Sequence, residues 1–225
     1  MVKINSQTKW VISMNETELK ILAAAREEFV KMGLKGARMQ IIADSAGVNK
    51  ALLHYYFRSK EKLFEATIGE FAERLWGALE MQFTESAKYN NLKSFISTIV
   101  RTYIKTLSSD RYFPRLILRD IADGGDVMRT ILKRAAERFG SIPAKMFTAL
   151  KKEMDSGVII KINPVDIILN ILGMCIFTFI PGLVFDDTVV LDKLGLTYDD
   201  AYYENRISAI ITMTCDGIFL KDDRK

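Results

Sequence analysis

Asn49, Lys50, His54, Tyr55, Tyr56 and Lys60 lie within one short stretch near the N-terminus. All can hydrogen-bond, and together they suit a polyanion better than a bond-making centre. Lys50 can donate to guanine O6 and N7 or to a phosphate, and Ala51 is small enough to approach a thymine methyl. His54 can reach a base edge. The Tyr55 and Tyr56 hydroxyls can meet phosphates, which fixes register without reading sequence. Lys60 falls in the first turn of the next helix, where an ammonium and free backbone N–H groups would converge on a phosphate. The competing uses are a solvated surface for the lysines, core packing for Tyr55 and Tyr56, and a structural role for the lone His54.

Charge points the same way. Residues 1–65 carry eleven Lys or Arg against seven Asp or Glu, an excess of four equal to the net +4 of all 225 residues. The rest of the chain is balanced. Catalytic chemistry finds little support. His54 is the only histidine, so a multi-histidine metal site or an H-E-x-x-H helix cannot form. A Ser-His-Asp triad would have to borrow it. No G-x-S-x-G, Walker loop or G-x-G-x-x-G occurs. We expect no enzyme, no metal and no cofactor. Cys175 and Cys215 are far apart, which fits a reduced cytoplasm; a redox role is the alternative to small buried hydrophobes. Residues 1–14 have no apolar run of a signal peptide and read as a flexible arm.

The elements that must position these residues are helices. Asn15 with Glu18 forms a capping box. Leu19, Leu22, Ala25, Phe29 and Met32 then recur at helical spacing, and Gly33 ends the helix. A short helix follows over about 39–46, and Gly47 allows a sharp turn. Asn49 caps another over about 50–56. Val48, Leu53 and Phe57 face a three-helix core, leaving Lys50, Ala51, His54 and Tyr55 outward. Two short helices around a glycine turn are a helix-turn-helix.

The segment from Ile41 through Ala46-Gly47-Val48, Lys50, Leu53, Tyr55-Tyr56-Phe57 and Ser59-Lys60-Glu61 to Phe64 resembles the DNA-binding domain of TetR-family repressors. Ile21, Ala24, Phe29 and Gly33 extend the match into the first helix. Beyond residue 70 the likeness is to the family's architecture only. It implies DNA contact by Arg38, Met39, Gln40, Asn49, Lys50, Ala51, His54, Tyr55, Tyr56 and Lys60. Where the family usually caps its second helix with Thr or Ser, this chain has Arg38 and Met39, which puts that cap in doubt and offers Arg38 to a phosphate.

The expected fold is all-α: residues 15–64 as the helix-turn-helix domain and 65–225 as a helical effector-binding and dimerisation domain. A long helix from Ser59 to about Phe83 precedes helices at about 91–107, 111–122, 126–140 and 142–156. Asn163 and Pro164 start a helix to about Val184, and the last spans about 200–220. Val158 to Ile162 could be extended.

A twofold dimer would read a palindromic duplex. Ile168, Ile171, Leu172, Cys175 and Phe179 on one helix, with Ile207, Ile211, Thr214 and Ile218 on the other, are the expected interface; an ordinary monomeric core is the alternative. The resemblance implies a pocket for a small apolar or amphipathic effector among the middle helices, with Trp76, Phe83, Tyr103, Phe113, Met146, Phe147 and Phe177 as candidates. Ile167 to Phe185 carries no charge over 19 residues and meets the length of a membrane span. Asn170, Thr178, Pro181 and the flanking Asp166, Asp186 and Asp187 argue for a buried helix and no membrane. The main reading is a DNA-binding repressor. The competitors are a membrane-anchored helical protein and a binding module that has lost DNA.

Overall fold

A computed structural model describes residues 15–85, 91–110, 112–184, 193 and 197–220. The expected flexible arm at 1–14 lies outside these residues, as does most of the polar loop that the sequence places at about 186–197. The described chain is all-α. Its helices are α1 (Glu16–Gly36), α2 (Met39–Ser45), α3 (Lys50–Phe57), α4 (Lys60–Glu85), α5 (Leu92–Ser108), α6 (Phe113–Ala122), α7 (Asp126–Phe139), α8 (Ser141–Asp155), α9 (Pro164–Phe177), α10 (Ile180–Val184) and α11 (Asp200–Ile218).

Two compact units emerge. The first comprises residues 1–74 with 111–137, and the second 75–110 with 138–225. The division does not follow the expected 64/65 boundary. Helix α4 continues through it, and α6 and α7 group with the helix-turn-helix.

In the first unit, the capping box of Asn15 and Glu18 starts α1. Ile21, Leu22, Ala25 and Phe29 form its buried stripe, while Leu19 and Met32 of the expected periodicity stay half exposed. Gly33 does not end α1 outright. It kinks the helix with φ 67° and ψ 176°, a region open essentially to glycine alone. The carbonyls freed at this kink meet α6: the Arg119 guanidinium donates to Val30 O at 2.9 Å. Phe29 sets its ring edge to face against Phe64 on α4, and Phe71 stacks on Phe113 of α6. Each such fully buried aromatic stabilises the unit by about 1.5–3 kcal/mol. Ion pairs tie the seams: Arg26 of α1 to Glu70 of α4 at 3.2 Å, and Arg134 of α7 to Glu65 of α4 at 2.6 Å.

In the second unit, α5 packs on α11, and both contact α9. Ile96, Val100 and Ile104 on α5, with Ile171 and Cys175 on α9 and Ile207 and Ile210 on α11, are essentially sealed from solvent. Arg101 and Lys105 of α5 both bind Glu204 of α11, at 2.7 and 2.9 Å. The expected extended stretch is real but minimal. Ile159 pairs with Phe219 in a single antiparallel bridge, flanked by Ile160 N–H to Ile218 O and Leu220 N–H to Val158 O. Asn163 and Pro164 start α9 as expected, yet the helix ends at Phe177, and a short α10 takes over.

Candidate nucleic-acid interface

Helices α2 and α3 form the helix-turn-helix. Ile42 and Ala43 anchor α2, and Leu53 and Phe57 anchor α3, all buried. Gly47 makes the turn at φ 67°. Asn49 caps α3 by accepting from Leu52 N–H at 2.7 Å, so its side chain positions the helix before it meets anything else. With Leu53 and Phe57 inward, Lys50, Ala51, His54 and Tyr55 stand on the exposed side, as their spacing predicts. Tyr55 is 78% exposed, with its ring set edge-on to Tyr56.

Other candidates are more committed. Tyr56 is half-buried; its hydroxyl accepts from Asn15 Nδ2 at 3.0 Å, which ties the end of α3 to the start of α1. Gln40 donates to Asp44 along α2 at 2.8 Å. Met39 is half-buried and Arg38 exposed. No side chain caps α2 from Arg38. Instead the Arg38 N–H donates to the buried Glu28 carboxylate at 3.1 Å, so α1 holds the start of α2 through the backbone of Arg38.

The start of α4 differs from expectation. The Lys60 ammonium folds back to Lys35 O at 2.9 Å and Ala37 O at 3.2 Å, satisfying carbonyls at the end of α1. The neighbouring N–H groups are also engaged: Ser59 Oγ accepts from Lys62 N–H at 3.2 Å. Glu61 curls over its own N–H and the Ser59 hydroxyl, and these hydrogen bonds hold its carboxyl below the usual carboxylate range. This helix start is thus already capped by the chain. An ammonium has three donors, so Lys60 retains one.

Sequence reasoning missed Arg58. It ends α3 with φ 60°, the one described non-glycine residue in that region, and its side chain is exposed. Nothing in the residue types around it signals this conformation.

The remaining candidates scatter. Phe113 is buried in the first unit against Phe71. In the second unit Met146 is buried, Trp76 is half-buried, and burial pushes the Tyr103 phenol far above its ordinary value. The Phe83 side chain lies outside the described residues. Phe147 and Phe177 are 43% and 66% exposed, so neither sits in an enclosed pocket. Phe147 instead lines an open groove of about 570 Å³ with Lys151, Met154, Lys161 and Ile162.

The residues expected at the dimer face divide by burial. Ile171, Cys175, Phe179, Ile207, Thr214 and Ile218 are at most 7% exposed within one chain and have almost no surface left for a partner to cover. Ile168, Leu172 and Ile211 are half-buried. The exposed apolar residues on these helices are Val165, Leu169, Phe177 and Met213. Burial raises both thiols, that of Cys175 to about 12, which keeps them protonated and unreactive. Among the described residues one helical stretch, 164–182, is long and apolar enough to cross a membrane, with 28% of its window buried.

An all-helical chain opening on three short-linked helices, the third presenting a polar face, defines a helix-turn-helix protein. Residues 21–67 match the family described as bacterial regulatory proteins, tetR family. The transcriptional regulator RutR of Escherichia coli K12 is 42% identical over 65 residues, 29% of this chain and 30% of that protein. The transcriptional repressor KstR2 of Mycolicibacterium smegmatis is 37% identical over 57 residues, 25% and 28% of the two chains. The matched part therefore spans about a third or less of these relatives' length. Over nearly the whole chain the fold is similar to that of the Bacillus subtilis regulator FadR, solved with stearoyl-CoA: TM-score 0.65, 16% identity, 88% of this chain and 98% of that one.

Proposed function

We propose that the chain is a transcriptional repressor that binds a palindromic operator as a homodimer and is released by a small apolar or amphipathic effector. The observation that carries this is the outward row of Lys50, Ala51, His54 and Tyr55 on a capped α3 whose opposite side is anchored by Leu53 and Phe57. A helix so placed fits a major groove with its first turn against base edges. The positive excess of the first 65 residues suits the phosphates on either side. The repressor role of KstR2 and the acyl-CoA bound by FadR support the direction of regulation and the class of effector. The protein acts in the cytoplasm, where its DNA is.

The dimer forms through the surface α9 and α11 leave uncovered. Val165, Leu169, Gly173 and Phe177 follow one another at four-residue steps, and Met213 stands exposed on α11. Two copies of this pair make a four-helix bundle.

The effector acts by binding better to the form whose two reading heads are wrongly spaced, so operator and effector weaken each other by the same factor. Selection of bound duplexes from a random pool tests the proposal. A palindrome with half-sites about one helical turn or a multiple apart is expected. Enrichment of no sequence, or binding insensitive to salt, would overturn it.

A further inference from the structure

His54 and Arg58 are joined twice. The Arg58 N–H donates to His54 O at 2.9 Å, and His54 Nδ1 lies 3.1 Å from Arg58 O. A carbonyl oxygen can only accept, so the hydrogen of that second contact sits on Nδ1. This closed pair clamps Arg58 in its positive-φ conformation and fixes the imidazole's orientation. It also fixes the tautomer. When the ring is neutral, Nε2 carries a bare lone pair on the exposed side of α3, with no partner among the described residues.

We infer that His54 reads a base amino group, taking as its complement adenine N6 or cytosine N4 in the major groove. Those are the amino donors a base pair presents there. The phosphate backbone offers only acceptor oxygens, and a neutral Nε2 facing one would set acceptor against acceptor. Lys50 is one turn before His54 and can only donate, so the two neighbours read opposite chemistry: Lys50 a guanine edge, His54 an amino-bearing base. The clamp on Arg58 supplies preorganisation, since the ring gives up no rotamer freedom on binding.

This inference rests on the duplex-binding reading, and its test separates the two. The full chain and its His54→Ala variant are each put through selection from a random duplex pool at pH 8. Wild type is expected to enrich adenine or cytosine at one position of each half-site, and His54→Ala to lose that preference alone. The selected duplex is then made with purine in place of that adenine, or 2-pyrimidinone in place of that cytosine, removing only the amino group. Wild-type affinity falls about five- to tenfold, the worth of one such hydrogen bond, while His54→Ala is indifferent. The wild-type measurement stands even if the variant folds poorly. Unchanged preference in His54→Ala, an equal loss on every duplex, or wild-type indifference to the missing amino group would overturn the role of His54 and leave DNA binding intact. Wild type enriching no duplex at all would overturn both.

Discussion

Replacing Gly33 with alanine perturbs the first unit at a point where two constraints coincide. The backbone there has φ 67° and ψ 176°, and holding a residue with a Cβ in that region costs about 1–3 kcal/mol. The new Cβ would also stand 2.6 Å from Arg119 Nε and 2.9 Å from its Cζ. The obstacle is a side chain, so Arg119 can swing away, but it then gives up the bond to Val30 O at 2.9 Å. That hydrogen bond is charged but exposed, and its loss costs about 1 kcal/mol. Gly33→Ala should therefore destabilise the protein by about 2–4 kcal/mol in urea unfolding, read from the midpoint at constant slope. Arg119→Ala alone should cost about 1 kcal/mol. In the double variant the clash is gone and the cap is already lost, so the two costs should fall short of additivity by about 1 kcal/mol. Strict additivity would refute the contact with Arg119. A cost below about 0.5 kcal/mol for Gly33→Ala would refute the backbone conformation itself.

Three further outcomes follow from the same geometry. Lys60→Ala removes the donor to Lys35 O and Ala37 O and should lower stability by about 1 kcal/mol. It should also weaken duplex binding uniformly across sequences and reduce the salt slope by about 0.9; a change in preferred sequence instead would place Lys60 on a base. Arg58→Gly should raise the unfolding midpoint, by about 1 kcal/mol, because glycine relieves the strain at φ 60°; no gain would mean that residue carries no strain. Leu169→Asp or Phe177→Asp should give monomers in light scattering and lose operator affinity, whereas Ile207→Ala, at a position sealed within one chain, should cost about 2–5 kcal/mol of stability. Dimers that survive both aspartate substitutions would move the interface elsewhere.

What could be read from the residues alone was what they settle locally. Caps at Asn15, Asn49 and Asn163, the turn at Gly47 and the alternation of Leu53 and Phe57 against Lys50 and His54 all depend on neighbours within four residues. They came out as the spacing predicts. The misses involve partners distant along the chain. Lys60 looks free until its ammonium meets carbonyls 25 and 23 residues earlier. The start of α2 is held by Glu28, ten residues upstream. The grouping of α6 with the first unit depends on Arg119 reaching Val30, 89 residues away. Helix α9 failed for another reason. It is apolar on nearly every side, so periodicity cannot tell which stripe faces its own core. Ile171 and Cys175 went inward, and Leu169 and Phe177 were left outside.

The central claim is that α3 of two chains enters the major groove of one duplex. It is tested most directly by titrating salt against affinity for the selected palindrome and for a single half-site, with stoichiometry measured alongside. Two chains per palindrome are expected, with a log–log slope of several units that is roughly halved on the half-site. One chain per duplex with the same slope on both, or an affinity indifferent to salt, would contradict the account.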